Sequence, residues 1–466
     1  MDRSSLIAAL QTVVGKDSVL SGAIDLDMYS YDAGHDRHLP DVVVLPGKIE
    51  QITEIVKIAA RAGVPVVARG AGTGLSGGSI PIQGGIVVVM SRLKRILEVN
   101  VEDRYAVVEA GVINTELTAA AAPHGLYYAP DPSSQNVSTL GGNVAENAGG
   151  PHCLANGLTS NHVLHLEVVL ADGSVVQLGG VAPDMPGYDL RGVVIGSEGM
   201  FGIVTKITVR LMPKPEDART MVAIYDQLED AGATVTDLLK QGIIPAAAEI
   251  VDNLIARAVE AANHLGYPDD AGAVLLIEVD GLPDGLDELA DAIIAVAKTH
   301  GAREVRFART EEERVALWKG RKGAAGAIGR LAPSKYQQDA TVPRSRLPEA
   351  LHFIGEVAKK YNVKIGTMLH AGDGNLHPNI LFDAREPGIM DIVIKASNEI
   401  THRCVDMGGT ITGEHGVGLE KQELMTWMFT ETDLAQMIKL RDAFDPHELM
   451  NPGKVFPVKE SVTAHS

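Results

Sequence analysis

Three histidines and a glutamate fall in two short glycine-flanked segments of the C-terminal half. His370 and His377 lie in TMLHAGDGNLHPNIL, and Glu414 and His415 lie in GGTITGEHGVG. Imidazole nitrogens and carboxylate oxygens are ligands for divalent first-row ions. Two histidines with one carboxylate leave positions open for a substrate, an arrangement suited to zinc. Asp373-Gly374 is a strong two-residue hairpin signal. With the turn there, Gly372 faces Asn375, Ala371 faces Leu376 and His370 faces His377. Directly opposed residues hold their Cβ atoms about 5 Å apart on one face of a sheet. The two imidazoles can then grip one ion, and Asn379, two residues beyond His377, projects from the same face. The glycines around Glu414 and His415 let that backbone approach a ligand closely. The plainer alternative is a pair of turn-capping histidines and a surface acid, and these spacings leave both open. Arg321, in LWKGRKGA, offers a guanidinium that can hold a carboxylate through two parallel hydrogen bonds; a lone arginine is more often solvated or structural.

A second chemical feature is VARGAGTGLSGGSIP, residues 67–81, which contains a literal G-x-G-x-x-G from Gly72 to Gly77. DVVVLP before it reads as a strand. Ile52, Ile55, Val56 and Ala59 then mark one face of a helix over 51–62, and residues 64–68 read as a second strand. A dinucleotide fingerprint requires a helix opening at the glycines, because its N-terminus holds the pyrophosphate. The stretch from Leu75 to Gly85 is glycine-rich, contains Pro81 and runs into the strand-like GIVVVM, so no stable helix opens there. The motif is not a Rossmann site. Successive glycine N–H groups can still make a concave anion nest between two strands.

The elements that must position these residues need more than one core. The chain has 466 residues, 45% hydrophobic and 22% charged, with a formal net charge of −19. That length implies two or three domains. The acidic balance and 4% aromatic content disfavour nucleic acid and anionic membrane as partners. Two cysteines, Cys153 and Cys404, are too few for a disulfide framework or a cysteine-held iron–sulfur cluster. No apolar run spans a bilayer and the first residues lack a signal-peptide pattern, so a cytoplasmic protein is expected, peripheral to a membrane at most through a partner. Asp172-Gly173 marks a hairpin between LHLEVVLA and SVVQLGG. Pro213 and Pro215 mark a boundary. Beyond them, strand-like runs alternate with alanine-rich helical ones, which predicts an antiparallel sheet covered by helices on one side.

Six ordered motifs together resemble one family: ARGAGTGLSGG, PDPSSQNVSTLGGNVAENAGGPHC, GSEGMFGIVT, HAGDGNLHPNI, GGTITGEHGVG and NPGKVFP. The chain resembles the FAD-linked 2-hydroxyacid dehydrogenases over roughly residues 30–457. That group includes the glycolate oxidase D subunit, FAD-linked D-lactate dehydrogenases and D-2-hydroxyglutarate dehydrogenases. The resemblance implies an α+β chain. Residues 1–215 form a vanillyl-alcohol-oxidase (PCMH)-type FAD domain of two α+β subdomains, and 216–410 an α+β cap domain with an antiparallel sheet. Residues 411–466 return to the FAD domain. It further implies that Arg69, Gly70, Ala71, Gly72, Thr73, Gly74 and Ser76 wrap the FAD pyrophosphate. Pro132, Ser133, Thr139, Gly142, Asn143 and Asn147 line the flavin, and Glu198, Gly199 and Ile203 sit near the adenosine half. No His, Cys or Tyr occurs between Arg69 and Gly78, so FAD is expected to be non-covalent. One departure is His162, where relatives usually carry tyrosine.

The implied reaction is oxidation of a D-2-hydroxy acid to its 2-oxo acid. His370, His377 and Glu414 hold the metal, and His415 takes the hydroxyl proton. Arg321 holds the carboxylate, and Asn379 supports metal or substrate. Electrons leave to an external acceptor: an iron–sulfur subunit, a cytochrome, a quinone-linked chain or an electron-transferring flavoprotein. Members that take D-2-hydroxyglutarate carry a lysine where this chain has Gln337, with Lys335 offset by two. This favours D-lactate or glycolate. The alternatives are D-2-hydroxyglutarate and a non-catalytic FAD-binding subunit of an oxidase complex.

Overall fold

A computed structural model describes residues 1–182 and 186–457. The chain divides into two compact units. The first gathers Met1–Gly149, Leu158–Lys214 and the chain from Glu414 onward; the second gathers Gly150–Gly157 and Pro215–Gly413. The short excursion Gly150–Gly157, inside the stretch read from sequence as the first domain, therefore clusters with the second unit.

The first unit holds two larger sheets. One is built from β1 (Val19–Leu20), β2 (Val42–Val44), β3 (Val66–Arg69) and β4 (Ile86–Val89), in the order β1-β2-β4-β3. β2 and β3 each run parallel to β4. The β2 and β4 valines and isoleucine are all buried, as expected of parallel strands covered on both faces. Between β2 and β3 runs the helix Ile49–Ala62. Its Ile52, Ile55, Val56 and Ala59 are buried. Gln51 Oε1 accepts from Gly47 N and Lys48 N at its start, and Gly63 stops it in the left-handed region at φ 63°. Each buried isoleucine or valine of this helix face contributes about 1.5–3 kcal/mol. The other sheet is antiparallel: β5 (Ile96–Asn100), β6 (Tyr105–Glu109), β7 (Val163–Val169), β8 (Val175–Gly179) and β9 (Ile203–Arg210), in the order β5-β6-β9-β7-β8. β7 and β8 form the hairpin expected at Asp172-Gly173, with Gly173 at φ 81°.

The second unit is organised on one antiparallel sheet. Its strands are β10 (Asp217–Tyr225), β11 (Ala247–Asp252), β12 (Ala273–Gly281), β13 (Glu304–Phe307), β14 (Ser334–Gln337), β15 (Ala340–Thr341), β16 (Lys364–His370) and β17 (Asn375–Phe382). The order is β13-β10-β12-β11-β16-β17-β14, and β15 also pairs with β17. Helices cover both faces, not one. Leu238, Ile293, Leu351 and Ile400 pack with Met221, Ala223 and Tyr225 on one side. Ile255, Val259, Trp318 and Ile328 pack with Val222 and Ile224 on the other. The sign was present in AVLLIEV of β12, an almost unbroken apolar run that a sheet with one wet face would have alternated.

Candidate active site and cofactor loop

In the first unit, β3 delivers Arg69 into the glycine loop, and the chain reaches β4 without forming a helix. Gly72 and Gly77 sit at φ 70° and 82°, conformations that glycine enters without strain. A Cβ at Gly70 would crowd Thr139 Oγ1, so a side chain there would force Thr139 to shift. Thr139 in turn caps the helix Leu140–Glu146, which carries Gly142 and Asn143 and ends on Asn147 in the left-handed region. Pro132 and Ser133 lie on the loop before it, outside helix and strand. Glu198 and Gly199 make a tight turn at φ 52° and 76°, ahead of Ile203, the first residue of β9. His162 is buried, with the Tyr128 ring edge-on at 6.1 Å.

The loop is held by Asp32, which lies outside the six motifs, and by residues within them to which the motifs assign no bracing role. Buried Asp32 accepts from Gly34 N at 2.7 Å and from Gly77 N at 3.0 Å. Its burial raises the carboxyl above its usual range against these hydrogen bonds. Glu198 accepts from Val417 N and Gly418 N, both at 2.7 Å. It thus holds the GEHGVG segment, a structural duty within a residue set expected to line the adenosine half. Ser76 Oγ donates to the His415 carbonyl at 3.0 Å. From the C-terminal motif, Asn451 Nδ2 donates to the carbonyls of Gly78 (2.7 Å) and Glu198 (2.6 Å). Lys454 Nζ donates to the Ile80 carbonyl at 2.6 Å, and its burial pulls the ammonium down to about 8. The outcome is a bare, glycine-lined backbone cradle braced from behind, which fits a phosphate-bearing group.

In the second unit, β16 and β17 form the hairpin, but its register differs from the expected one. His370 is opposite Asn375, and Met368 is opposite His377. Residues 371–374 all lie in the turn. Gly374 at φ 84° donates its N–H to the His370 carbonyl at 3.1 Å, and Asn375 N bonds back to Asp373 Oδ1 at 3.0 Å. Closing on four residues slips the pairing by two, and an even slip leaves every side chain on its original face. His370 and His377 therefore still share a face as diagonal neighbours, with ring centroids 5.1 Å apart and planes at 87°. Asn379 lies on that face too, fully buried, its amide donating to the His377 carbonyl at 2.8 Å.

Each imidazole has its Nδ1 committed. His377 Nδ1 faces the Gln338 carbonyl at 3.2 Å, and His370 Nδ1 faces both carboxylate oxygens of Glu249, at 2.8 and 2.9 Å. Both partners are acceptors, so each ring directs an Nδ1 hydrogen at its partner, the orientation in which a neutral imidazole offers Nε2 to a metal. Glu249, on β11 directly across from His370, went unrecognised in the sequence. Its other partner is Arg321, buried on the helix Glu311–Lys322, whose Nη2 ion-pairs with Glu249 and whose Nη1 meets the Met368 sulfur at 3.8 Å. Asp339, also fully buried, accepts from Thr412 Oγ1 at 2.6 Å and Gly413 N at 3.0 Å. It pins the end of this unit at the residue before Glu414. In the first unit, His415 Nε2 lies 4.0 Å from Glu414 Oε1.

Comparison with known proteins sorts these observations. Residues 214–455 match the family described as FAD linked oxidases, C-terminal domain, and residues 40–179 match the FAD binding domain family. The chain belongs to the FAD-linked oxidases. These family matches support FAD as the cofactor. The chain is 45% identical over 458 residues to the glycolate oxidase subunit GlcD of Escherichia coli K12, covering 98% of this chain and 92% of that one. It is 42% identical to the Bacillus subtilis GlcD, covering 92% of each. It is 33% identical over 417 residues to a D-lactate dehydrogenase of Archaeoglobus fulgidus, covering 89% and 91%. Among solved structures, 4-ethylphenol oxidase from Gulosibacter chungangensis superposes with a TM-score of 0.80 at 21% identity over 97% of each chain. p-Cresol methylhydroxylase gives 0.81 at 18% identity over 97% of this chain and 96% of that one. These two share the fold, of the PCMH type read from the motifs.

Proposed function

We propose that this FAD-linked oxidase dehydrogenates a small D-2-hydroxy acid, D-lactate or glycolate, to the 2-oxo acid with a divalent metal, zinc, at its site. The reading rests on one observation above the others: two buried imidazoles on one sheet face, each with its Nδ1 facing a buried acceptor. His370 and His377 supply two ligands, and Glu414, next in the chain after the Asp339-pinned Gly413, supplies the third. A divalent ion held by these residues would supply Lewis-acid polarisation of a substrate hydroxyl. Arg321 turns its Nη1 edge to the substrate carboxylate. The thioether now facing that edge is a weak acceptor that a carboxylate readily replaces. His415 takes the hydroxyl proton, a task suited to an imidazole near neutral pH. Asn379 steadies His377 through its carbonyl. Bound FAD, held non-covalently, supplies the hydride acceptor.

The similarity to proteins named as oxidase subunits supports onward transfer of electrons to a partner carrying iron–sulfur, haem, quinone or flavin chemistry. Among the described residues no helix is long and apolar enough to cross a membrane. The deciding experiment is anaerobic mixing of FAD- and metal-loaded protein with D-lactate, L-lactate and glycolate, following the flavin band. Bleaching by D-lactate or glycolate and not by L-lactate is expected; no bleaching by any of them would sink the reading. His415→Gln should slow the bleaching rate by about 10²–10⁴-fold. An unchanged rate removes His415 as the base.

A further inference from the structure

We infer that Glu249 is the positioning residue of this site: a buried carboxylate that fixes the tautomer and aim of His370 and anchors Arg321. The inference rests on the metal reading above.

Glu249 is 1% exposed and sits in mid-strand, between apolar neighbours Ala248 and Ile250 that are themselves buried. A buried carboxylate costs several kcal/mol unless its oxygens are matched by donors. Glu249 is matched twice: Oε1 and Oε2 both face His370 Nδ1, and Oε2 also meets Arg321. The β11–β16 register places Glu249 and His370 directly opposite each other, so backbone pairing sets their approach. Neither partner is close in sequence: His370 is 121 residues away. A group that served only to neutralise Arg321 had no need of the imidazole. One that served only to orient His370 could have been a backbone carbonyl, as Gln338 is for His377. The carboxylate does both. It raises the basicity of the His370 Nε2 lone pair, which a carbonyl does less well. By taking Nη2 of Arg321 it also leaves the opposite edge of the guanidinium to face a substrate.

The test is metal affinity, measured by chelator competition on FAD-loaded protein with zinc. Glu249→Gln should weaken zinc about 10- to 100-fold, the usual cost of losing an outer partner of a ligating histidine, with FAD content unchanged. That variant leaves Arg321 buried and unpaired and can fail to fold. The double variant Glu249→Gln with Arg321→Met removes both charges and should show the same zinc loss. In metal-free protein labelled with [15N]histidine, His370 should be a pure Nδ1–H tautomer in the wild type and a mixture in the variants. A merely structural role would leave that signature unmoved. Zinc affinity within twofold of wild type in the folded variants overturns the role of Glu249. A wild-type protein that binds no zinc overturns the metal reading itself.

Discussion

The glycine loop of the first unit and the histidine hairpin of the second solve the placement of chemistry in opposite ways. The loop works by subtraction. Glycines keep side chains off much of its backbone, which is held from behind by Asp32, Asn451 and Lys454. The hairpin works by addition, with side chains aimed from a buried sheet face and each ring fixed by its own acceptor. A backbone cradle tolerates any side chain it does not contain, and fails when one is introduced. An imidazole pair fails when one is removed.

That contrast can be broken from either side. The largest effect is expected from His377→Ala, which should cut turnover by more than about 10³-fold, as losing a metal ligand and its polarisation requires, while the flavin spectrum shows full FAD. Loss of FAD together with activity would mean the two regions are not separable. Next is Glu278, the buried hub of the second unit, which accepts from Trp318 Nε1 at 2.6 Å, Arg314 Nη1 at 3.0 Å and Thr220. Burial pushes its carboxyl up, but hydrogen bonds from His152, Thr220 and Trp318 and the Arg314 charge outweigh it and hold it down at about 2. A carboxyl depressed on folding stabilises above its unfolded value near 4.5, and that contribution, on the order of 3 kcal/mol, is lost as pH falls from there towards 2. Glu278→Gln should flatten the acid limb of a pH-dependent unfolding curve in that window; an identical limb would show that other carboxyls govern it. The smallest effect is Gly70→Ala. Its methyl meets Thr139 Oγ1, so FAD affinity should drop about 10- to 30-fold, consistent with an overpacking cost of about 1–3 kcal/mol, while zinc affinity stays unchanged. Equal losses of both ligands would contradict the division of labour.

How much of this was legible in the sequence follows the same division. The loop could be read because glycine spacing is local, and the missing helix after it was equally local. The hairpin was read to the correct face and the wrong register: Asp373-Gly374 is a strong turn signal, yet the turn spans 371–374. The histidine pairing survived because faces repeat every two residues. Glu249 was not legible, since its meaning depends on a strand pairing that no local pattern announces. Asp32 was missed for the same reason, and so was the bracing role of Asn451 and Lys454 within the NPGKVFP motif. The helices on the second face of the large sheet were a misreading of available information, because unbroken burial in β12 already argued against a solvated side.

One bridge in the first unit has a consequence in time. β3 pairs in parallel with Met450, Val66 N–H donating to the Leu449 carbonyl at 2.7 Å and Asn451 N–H to the Val66 carbonyl at 2.8 Å. The strand that launches the glycine loop leaves the ribosome long before its partner segment does. At roughly 5–20 residues per second, the nascent chain spends on the order of tens of seconds with β3 presenting an unpaired edge. Such edges invite wrong pairing. The glycine loop therefore reaches its braced form only once the segment around Met450 has emerged.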